Sequence, residues 1–250
     1  MKFDDLVGKR VLITGSSSGI GAAAARAMAV EGAKVAIHYG HAKKEAEALA
    51  REIGAVACLE ADLTQRGAAR QLVEAAVKPL NGLDILINNA GSLIRRVPTE
   101  TIDDETVDDI LALNVRAVLE AVQAAVPHLA KQPGSAIINV GSIAGNNGGG
   151  PGSGIYGGAK AFIHNLTRHL AGDLADRGIR VNCVSPGVIG TPFHAKTPPD
   201  RMEAMRQTVK LGRIGTPEDC VGAFLFLASN KMSGYITGQN IHVNGGQLMP

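Results

Sequence analysis

Tyr156 and Lys160 stand four residues apart, and Tyr156 follows Ser142 by fourteen. On a helix that spacing puts both side chains on one face, so an ammonium at 160 can lie beneath a phenol at 156. An isolated tyrosine, with a pKa of ~10, is a poor acid or base at neutral pH. A neighbouring cation favours the phenolate and lowers that pKa, each unit being worth about 1.4 kcal/mol. With the Ser142 hydroxyl as a donor, the three groups could polarise an oxygen and move a proton to or from it. Many surface helices carry Tyr and Lys at this spacing, so the pair alone is weak. What strengthens it is the early run Thr14-Gly15-Ser16-Ser17-Ser18-Gly19-Ile20-Gly21. Gly15 permits a tight turn, Gly19 lets the backbone approach a phosphate, and Gly21 permits close helix–strand packing. Ser16 to Ser18 offer hydroxyls and amides where a helix begins, the place where a pyrophosphate is held.

These residues need a scaffold, and the chain supplies an alternating one. Apolar runs at 11–14, 34–39, 56–60, 85–88, 136–140, 180–185 and 241–243 read as strands. Between them, helical patterns cover about 19–30, 43–53, 67–77, 105–130 and 156–177. Strands alternating with helices predict an α/β fold: a single-domain, doubly wound (Rossmann) seven-stranded parallel sheet with helices on both faces, spanning 1–250. No fixed-period repeat or low-complexity tract interrupts it.

Composition excludes other classes. The 25 basic and 23 acidic residues are interspersed with no basic stripe, and aromatics are 3%, so neither nucleic acid nor an anionic membrane is an expected partner. Cys58, Cys183 and Cys220 are odd in number and far apart, with no metal-ligand spacing, so no metal is expected. The amino terminus has no apolar leader and no run of eighteen apolar residues occurs, which makes the cytoplasm the expected compartment.

The chain resembles the short-chain dehydrogenase/reductase family through Thr14 to Gly21, Asp62-Leu63, Asn88-Asn89-Ala90-Gly91, Asn114, Ser142, Tyr156-Gly157-Gly158-Ala159-Lys160 and Pro186-Gly187, in the family's order. The ending from Phe226 to Gly246 is similar to the beta-ketoacyl carrier-protein reductase branch. The resemblance implies an NAD(P)-dependent oxidoreductase that moves a hydride between nicotinamide and a carbonyl or secondary alcohol. It implies Tyr156 as the acid/base, Ser142 as donor to the carbonyl oxygen, and Asn114 as holder of a relay water. It implies that Lys160 lowers the Tyr156 pKa and bonds the cofactor ribose. Cofactor contacts are implied for Gly15, Ser17, Ser18, Gly19, Ile20, Gly21, Tyr39, Asp62, Leu63, Asn89, Ala90, Gly91, Tyr156, Lys160, Pro186, Gly187, Ile189 and Thr191. Asp62 is equally suited to capping a helix after the third strand. Family members often form tetramers through the helices near 105–130 and 156–177, so a homotetramer is expected.

Two departures from the family pattern bear on function. The interval from Ser142 to Tyr156 is one residue longer than usual and holds Asn146-Asn147-Gly148-Gly149-Gly150-Pro151-Gly152, a loop that either bulges over the substrate cleft or is a surface insertion. Two glycines follow Tyr156, weakening that helix by roughly 1–2 kcal/mol against alanine. At the end of the second strand, His38-Tyr39-Gly40-His41 has no acid to bind a ribose 2′-hydroxyl, and His41, Lys43 and Lys44 could offset a phosphate. NADP is therefore favoured over NAD. A substrate lid is expected at about 190–212, with Phe193, His194, Met202 and Met205; its mixed charges declare neither a carboxylate nor a phosphate substrate. Reduction of a ketone or beta-ketoacyl substrate is the leading reading. The alternatives are an NAD-dependent sugar, polyol or hydroxysteroid-type dehydrogenase and, from a different class, a catalytically silent dinucleotide-binding regulator.

Overall fold

The computed structural model describes residues 3–195 and 197–250; Lys196, inside the expected lid, lies outside them. Seven strands form one sheet: β1 (Arg10–Ile13), β2 (Lys34–Tyr39), β3 (Ala57–Glu60), β4 (Ile85–Asn88), β5 (Ala136–Val140), β6 (Arg180–Pro186) and β7 (Asn240–Val243). They run parallel in the order β3-β2-β1-β4-β5-β6-β7. The order reverses between β1 and β4, which opens a crevice beyond their carboxyl ends, where ligands bind in sheets of this type.

The helices are α1 (Gly19–Val30), α2 (Lys43–Ile53), α3 (Ala68–Leu80), α4 (Asp104–Leu111), α5 (Ala117–Leu129), the short α6 (Ala144–Asn147), α7 (Gly154–Asp173), α8 (Pro199–Thr208), α9 (Pro217–Ala228) and the short α10 (Asn230–Ser233). Alternation along each strand divides the core. Leu12, Leu86, Ile137 and Val181 face α3, α5 and α7, whereas Val11, Ile13, Ile37 and Ile138 face α1, α2 and α9. Ala22 to Ala25 are buried, and these small side chains let α1 pack closely on α9. The single helix expected over 105–130 is two, α4 and α5, joined by a π-helical turn at Ala112–Arg116. That joint packs against α7, with Ala112 and Asn114 buried.

At the far end of the sheet, Arg10 clamps Asp84 through its backbone amide at 2.8 Å, Nε at 2.6 Å and Nη2 at 3.0 Å. Burial pushes the Asp84 carboxyl up, but the Arg10 bonds outweigh it and hold the group below the usual range. The registers Ile13↔Ile87, Asn88↔Asn139 and Pro186↔Val243 align the opposite strand ends. The segments that follow β1, β4, β5 and β6 therefore emerge along one edge.

Candidate active site

The glycine turn after β1 is tied to two neighbouring strand ends. Gly15 (φ +61°) passes so near the β4 turn that a Cβ there would lie 2.8 Å from Ala90 Cα. Asn89 Nδ2 donates to Thr14 O at 2.9 Å and Gly15 O at 2.8 Å, while Thr14 Oγ1 accepts from the Asn89 and Ala90 amides, both at 3.0 Å. Ser16 is buried and serves the turn itself, donating to Ile13 O at 2.9 Å and accepting from the His38 amide at 2.9 Å. Ser17 and Ser18 line the cleft, and Ser18 is the N-cap of α1 with its hydroxyl not used for capping. The first amides of a twelve-residue helix, two hydroxyls and glycine backbone thus converge where a pyrophosphate would be received.

The end of β2 differs from expectation. Tyr39 is 5% exposed, packs in the core beside α2, and donates its hydroxyl to Glu60 at 3.1 Å; it is not among the cleft-lining residues. Strand parity explains the correction, since side chains alternate and the preceding residue, His38, faces the cleft. The His38 Nδ1 accepts the Gly15 amide at 2.8 Å, and Nε2 lies 3.0 Å from Ala61 O, which requires the proton on Nε2. Burial lowers its pKa, so His38 is a neutral clamp. Lys43 pairs with Glu47 at 4.0 Å, and neither Lys43 nor Lys44 lines the cleft; His41 does. The basic set expected around a phosphate is reduced accordingly.

Asp62 and Leu63 line the cleft beyond β3. Asp62 Oδ1 also accepts from the Thr64 hydroxyl at 2.7 Å and amide at 3.0 Å, and these bonds hold the carboxyl below its usual range. A turn-forming role and an exposed acceptor coexist there.

The reactive groups come from three elements. Ser142 follows β5, Tyr156 and Lys160 lie on α7, and Asn114 sits in the π turn, where its Nδ2 donates to Ser92 O and Ile110 O, both at 2.9 Å. Bonding to the carbonyl four residues back leaves Asn114 Oδ1 buried without a partner. A Cβ on Gly91 would lie 2.8 Å from that oxygen and 3.0 Å from Lys160 Nζ, so the glycine lets amide and ammonium gather at one spot. Lys160 Nζ donates to Val140 O at 2.9 Å and lies 5.6 Å from the Tyr156 ring centroid. The Ser142 hydroxyl accepts the Ala144 amide at 3.1 Å and stands near enough to Tyr156 to oppose the burial of its phenol.

The direction of the tyrosine shift reverses the expectation. Burial pushes the Tyr156 phenol up to about 12, with only the Ser142 bond opposing it. Burial also pulls Lys160 down to about 8. The reason is that desolvation penalises either charge, and the ammonium's bond goes to the Val140 carbonyl rather than to the phenol. A protonated phenol over a largely cationic lysine at neutral pH is a proton donor held beside a group that would stabilise its anion.

At the other end of the cleft, Pro186, Gly187, Ile189 and Thr191 form its wall. A Cβ on Gly19 would lie 3.1 Å from Thr191 Cγ2, so the base of the lid touches the phosphate turn. The Phe193 ring stands 5.7 Å from that of Tyr156, and Met205 lines the cleft while Met202 does not. The cleft, about 950 Å³, also holds Arg96, Asn147 and Gly149 to Pro151, which the sequence reading had not singled out individually. The long loop after Ser142 therefore does border the cleft. The unpaired Asn114 oxygen, the free α1 amides and the elongated cleft fit a dinucleotide laid from Asp62 to Tyr156.

Comparison with known proteins agrees with this geometry. Residues 15–247 match the family model described as enoyl-(acyl carrier protein) reductase. The 3-oxoacyl-(acyl-carrier-protein) reductase of Staphylococcus aureus is 36% identical over 245 residues, covering 96% of this chain and 98% of its own length. Among solved structures, an NADH-dependent reductase, A1-R′, complexed with NAD superposes with a TM-score of 0.85 at 38% identity, over 99% of this chain and all of its own. A blue fluorescent protein from a metagenomic library, in complex with NADPH, gives 0.91 at 35% identity over 98% and 99%.

Proposed function

The chain belongs to the short-chain dehydrogenase/reductase family, and from that premise we propose that it reduces the keto group of an organic substrate at the expense of a nicotinamide dinucleotide. The observation that carries the reading is the Ser142–Tyr156–Lys160 cluster with a protonated phenol facing the cleft. A nicotinamide dinucleotide held in the cleft would supply the hydride chemistry. The protein supplies everything else. Ser142 and Tyr156 donate hydrogen bonds to the carbonyl oxygen, and Tyr156 delivers its proton there as the alcohol forms. Lys160 stabilises the phenolate left behind, and the Asn114 oxygen orients the path by which the proton is replaced. Phe193 stands against the Tyr156 ring, and Met205 of α8 lines the same cleft.

NADP is the favoured dinucleotide, because the end of β2 presents Gly40 and His41 to the cleft and no carboxylate. The NADH-dependent relative keeps NAD as the second reading, with a polyol or secondary alcohol dehydrogenase as its counterpart. Three unpaired cysteines, two of them buried, suit a reducing cytoplasm. A homotetramer is supported by Leu111 and Phe162, large apolar side chains left about 40% exposed on α4 and α7.

The decisive experiment titrates the protein with NADPH and NADH by nicotinamide fluorescence and then follows oxidation of the tighter ligand with a panel of ketones. Tenfold tighter NADPH binding with turnover of a ketone supports the reading. Tighter NADH binding overturns the NADP preference, and binding of either without turnover of any carbonyl or alcohol overturns the reductase.

A further inference from the structure

At the substrate end of the cleft, two guanidinium groups face each other with no acid between them. Arg96 comes from the loop after β4 and Arg201 from the first turn of α8. Both donate to the same acceptor, Pro151 O, Arg96 Nη1 at 3.1 Å and Arg201 Nη2 at 3.3 Å. The long loop after Ser142 is what gathers them, and it is bonded to the Arg96 strand of chain by the Val97 amide to Gly152 O at 3.1 Å. Both arginines are half-buried and both line the cleft.

Their charge is not balanced locally. Neither Arg96 nor Arg201 has a carboxylate within ion-pair distance among the described residues. Asp103 and Glu105 are engaged by the adjacent Arg95, at 3.8 and 3.7 Å, and Glu203 by Arg206 at 2.6 Å. Ile94, with φ +60°, puts a branched residue in a conformation it rarely adopts, one residue before this divergence of Arg95 outward and Arg96 inward. Among the described residues lining the cleft, the one acid is Asp62, at the β3 end. Burial and the Arg201 charge both depress the Arg96 guanidinium, and burial with the Arg96 charge depresses the neighbouring His194. Two like charges sharing one neutral oxygen are poorly satisfied, because each planar fork keeps further N–H groups unpaired at that point.

We infer that Arg96 and Arg201 form a carboxylate-binding subsite, so that the substrate is an oxo acid whose carboxylate is held there while its keto group reaches Tyr156. This rests on the reductase reading and narrows its substrate class. A carboxylate is planar and takes two parallel N–H bonds from a guanidinium, which matches the pair of forks better than a neutral ester or thioester does. The reaction is unchanged in balance: hydride to the keto carbon, proton from Tyr156 to its oxygen, alcohol and oxidised nicotinamide as products, the carboxylate intact.

The test compares 2-, 3-, 4- and 5-oxo acids with their ethyl esters, since the series varies the spacing between keto group and anion. Calorimetry on the protein saturated with oxidised dinucleotide reads binding without turnover, and kcat/KM with the reduced form reads catalysis. The expected result is an acid bound and turned over at least tenfold better than its own ester. That preference should fall at least tenfold in R96Q and in R201Q, and persist in K210Q, which removes the same charge from the exposed end of the lid. Esters binding as well as acids at every spacing, or preferences unchanged in both arginine variants, would overturn the subsite. Tighter binding of inorganic phosphate than of any oxo acid would overturn the carboxylate assignment. Anion-selective binding that depends on the arginines, without turnover of acid or ester, sinks the reductase reading and leaves the subsite standing.

Discussion

The Gly15 amide donates to His38 Nδ1 at 2.8 Å, so the phosphate-binding turn is fastened to the end of β2 by a neutral imidazole. The same ring reaches Ala61 O through Nε2 at 3.0 Å, which joins the ends of β1, β2 and β3 through one side chain. Replacing His38 by Ala leaves a buried amide without its acceptor and lets the turn relax. A lost bond of this kind is worth about 1–2 kcal/mol. His38→Ala should therefore weaken dinucleotide binding roughly five- to thirtyfold while kcat at saturating dinucleotide changes much less. Equal affinities in fluorescence titrations of the two proteins would show that the clamp does not preorganise the turn.

Tyr156→Phe removes the proton donor but keeps the ring that packs on Phe193. A loss of ~10²–10⁴-fold in ketone reduction is expected, with dinucleotide affinity nearly unchanged. Residual turnover above a tenth of the native rate would mean that another group supplies the proton.

The pH dependence of reduction follows from Lys160, drawn down to about 8 by burial. Below that pH the ammonium is charged and can stabilise the phenolate that reduction leaves; above it the charge is lost. The phenol itself, up at about 12, stays protonated throughout. kcat/KM for reduction should accordingly be level at neutral pH and decline with an apparent pKa near 8. A profile flat to pH 10 would remove Lys160's charge from the mechanism.

Asn114 carries its own prediction because its Oδ1 is buried and unpartnered while Nδ2 is fully used. Asn114→Ala deletes that acceptor, and kcat should fall by ~10²-fold if the oxygen holds the proton path open. Dinucleotide binding should move little. A variant whose kcat stays within threefold of native would reduce Asn114 to a helix-joint residue.

What the sequence disclosed was what chain neighbours decide. The turn from Gly15 to Gly21 and the Tyr156–Lys160 pair are local patterns, and the alternation of strands and helices placed both at one sheet edge before any contact was known. Asn114 was named through the resemblance alone; the π turn in which it bonds back to Ile110 O was not legible, and the helix over 105–130 was expected unbroken. The Tyr39 side chain turns into the core, and strand parity alone separates it from His38, which faces the cleft. The Lys43–Glu47 pair was open to reading from its spacing as well. The raised phenol and the depressed lysine were not, because burial is a property of the packed molecule and it is the first cause of both shifts. Arg96 and Arg201 lie more than a hundred residues apart and meet only at Pro151 O, so no pattern along the chain announces them.

Acid stability supplies the last prediction. His164 is 5% exposed, one turn beyond Lys160 on α7, with Nε2 2.8 Å from Ser185 Oγ and receiving the Ser142 amide at 3.5 Å. Cβ atoms on Gly141 or Gly145 would collide with the ring, so both glycines are fitted around it. Burial first, then the charges of His242, Lys160 and Arg168, pull its pKa down to about 4. An unfolded histidine takes up its proton near 6.5, so the folded chain resists a protonation that the unfolded chain accepts. The depressed folded value means that this stability is fully present above about 6.5 and is lost as pH falls toward 4. Between pH 7 and pH 5 the loss amounts to about 2 kcal/mol. His164→Gln should abolish that part of the pH dependence in urea unfolding, and the native protein should lose correspondingly more stability than the variant over the interval. Should the variant not fold, the His164 ring proton followed by NMR gives the same answer: a ring still neutral at pH 5 supports the account, and one protonated near pH 6.5 refutes it.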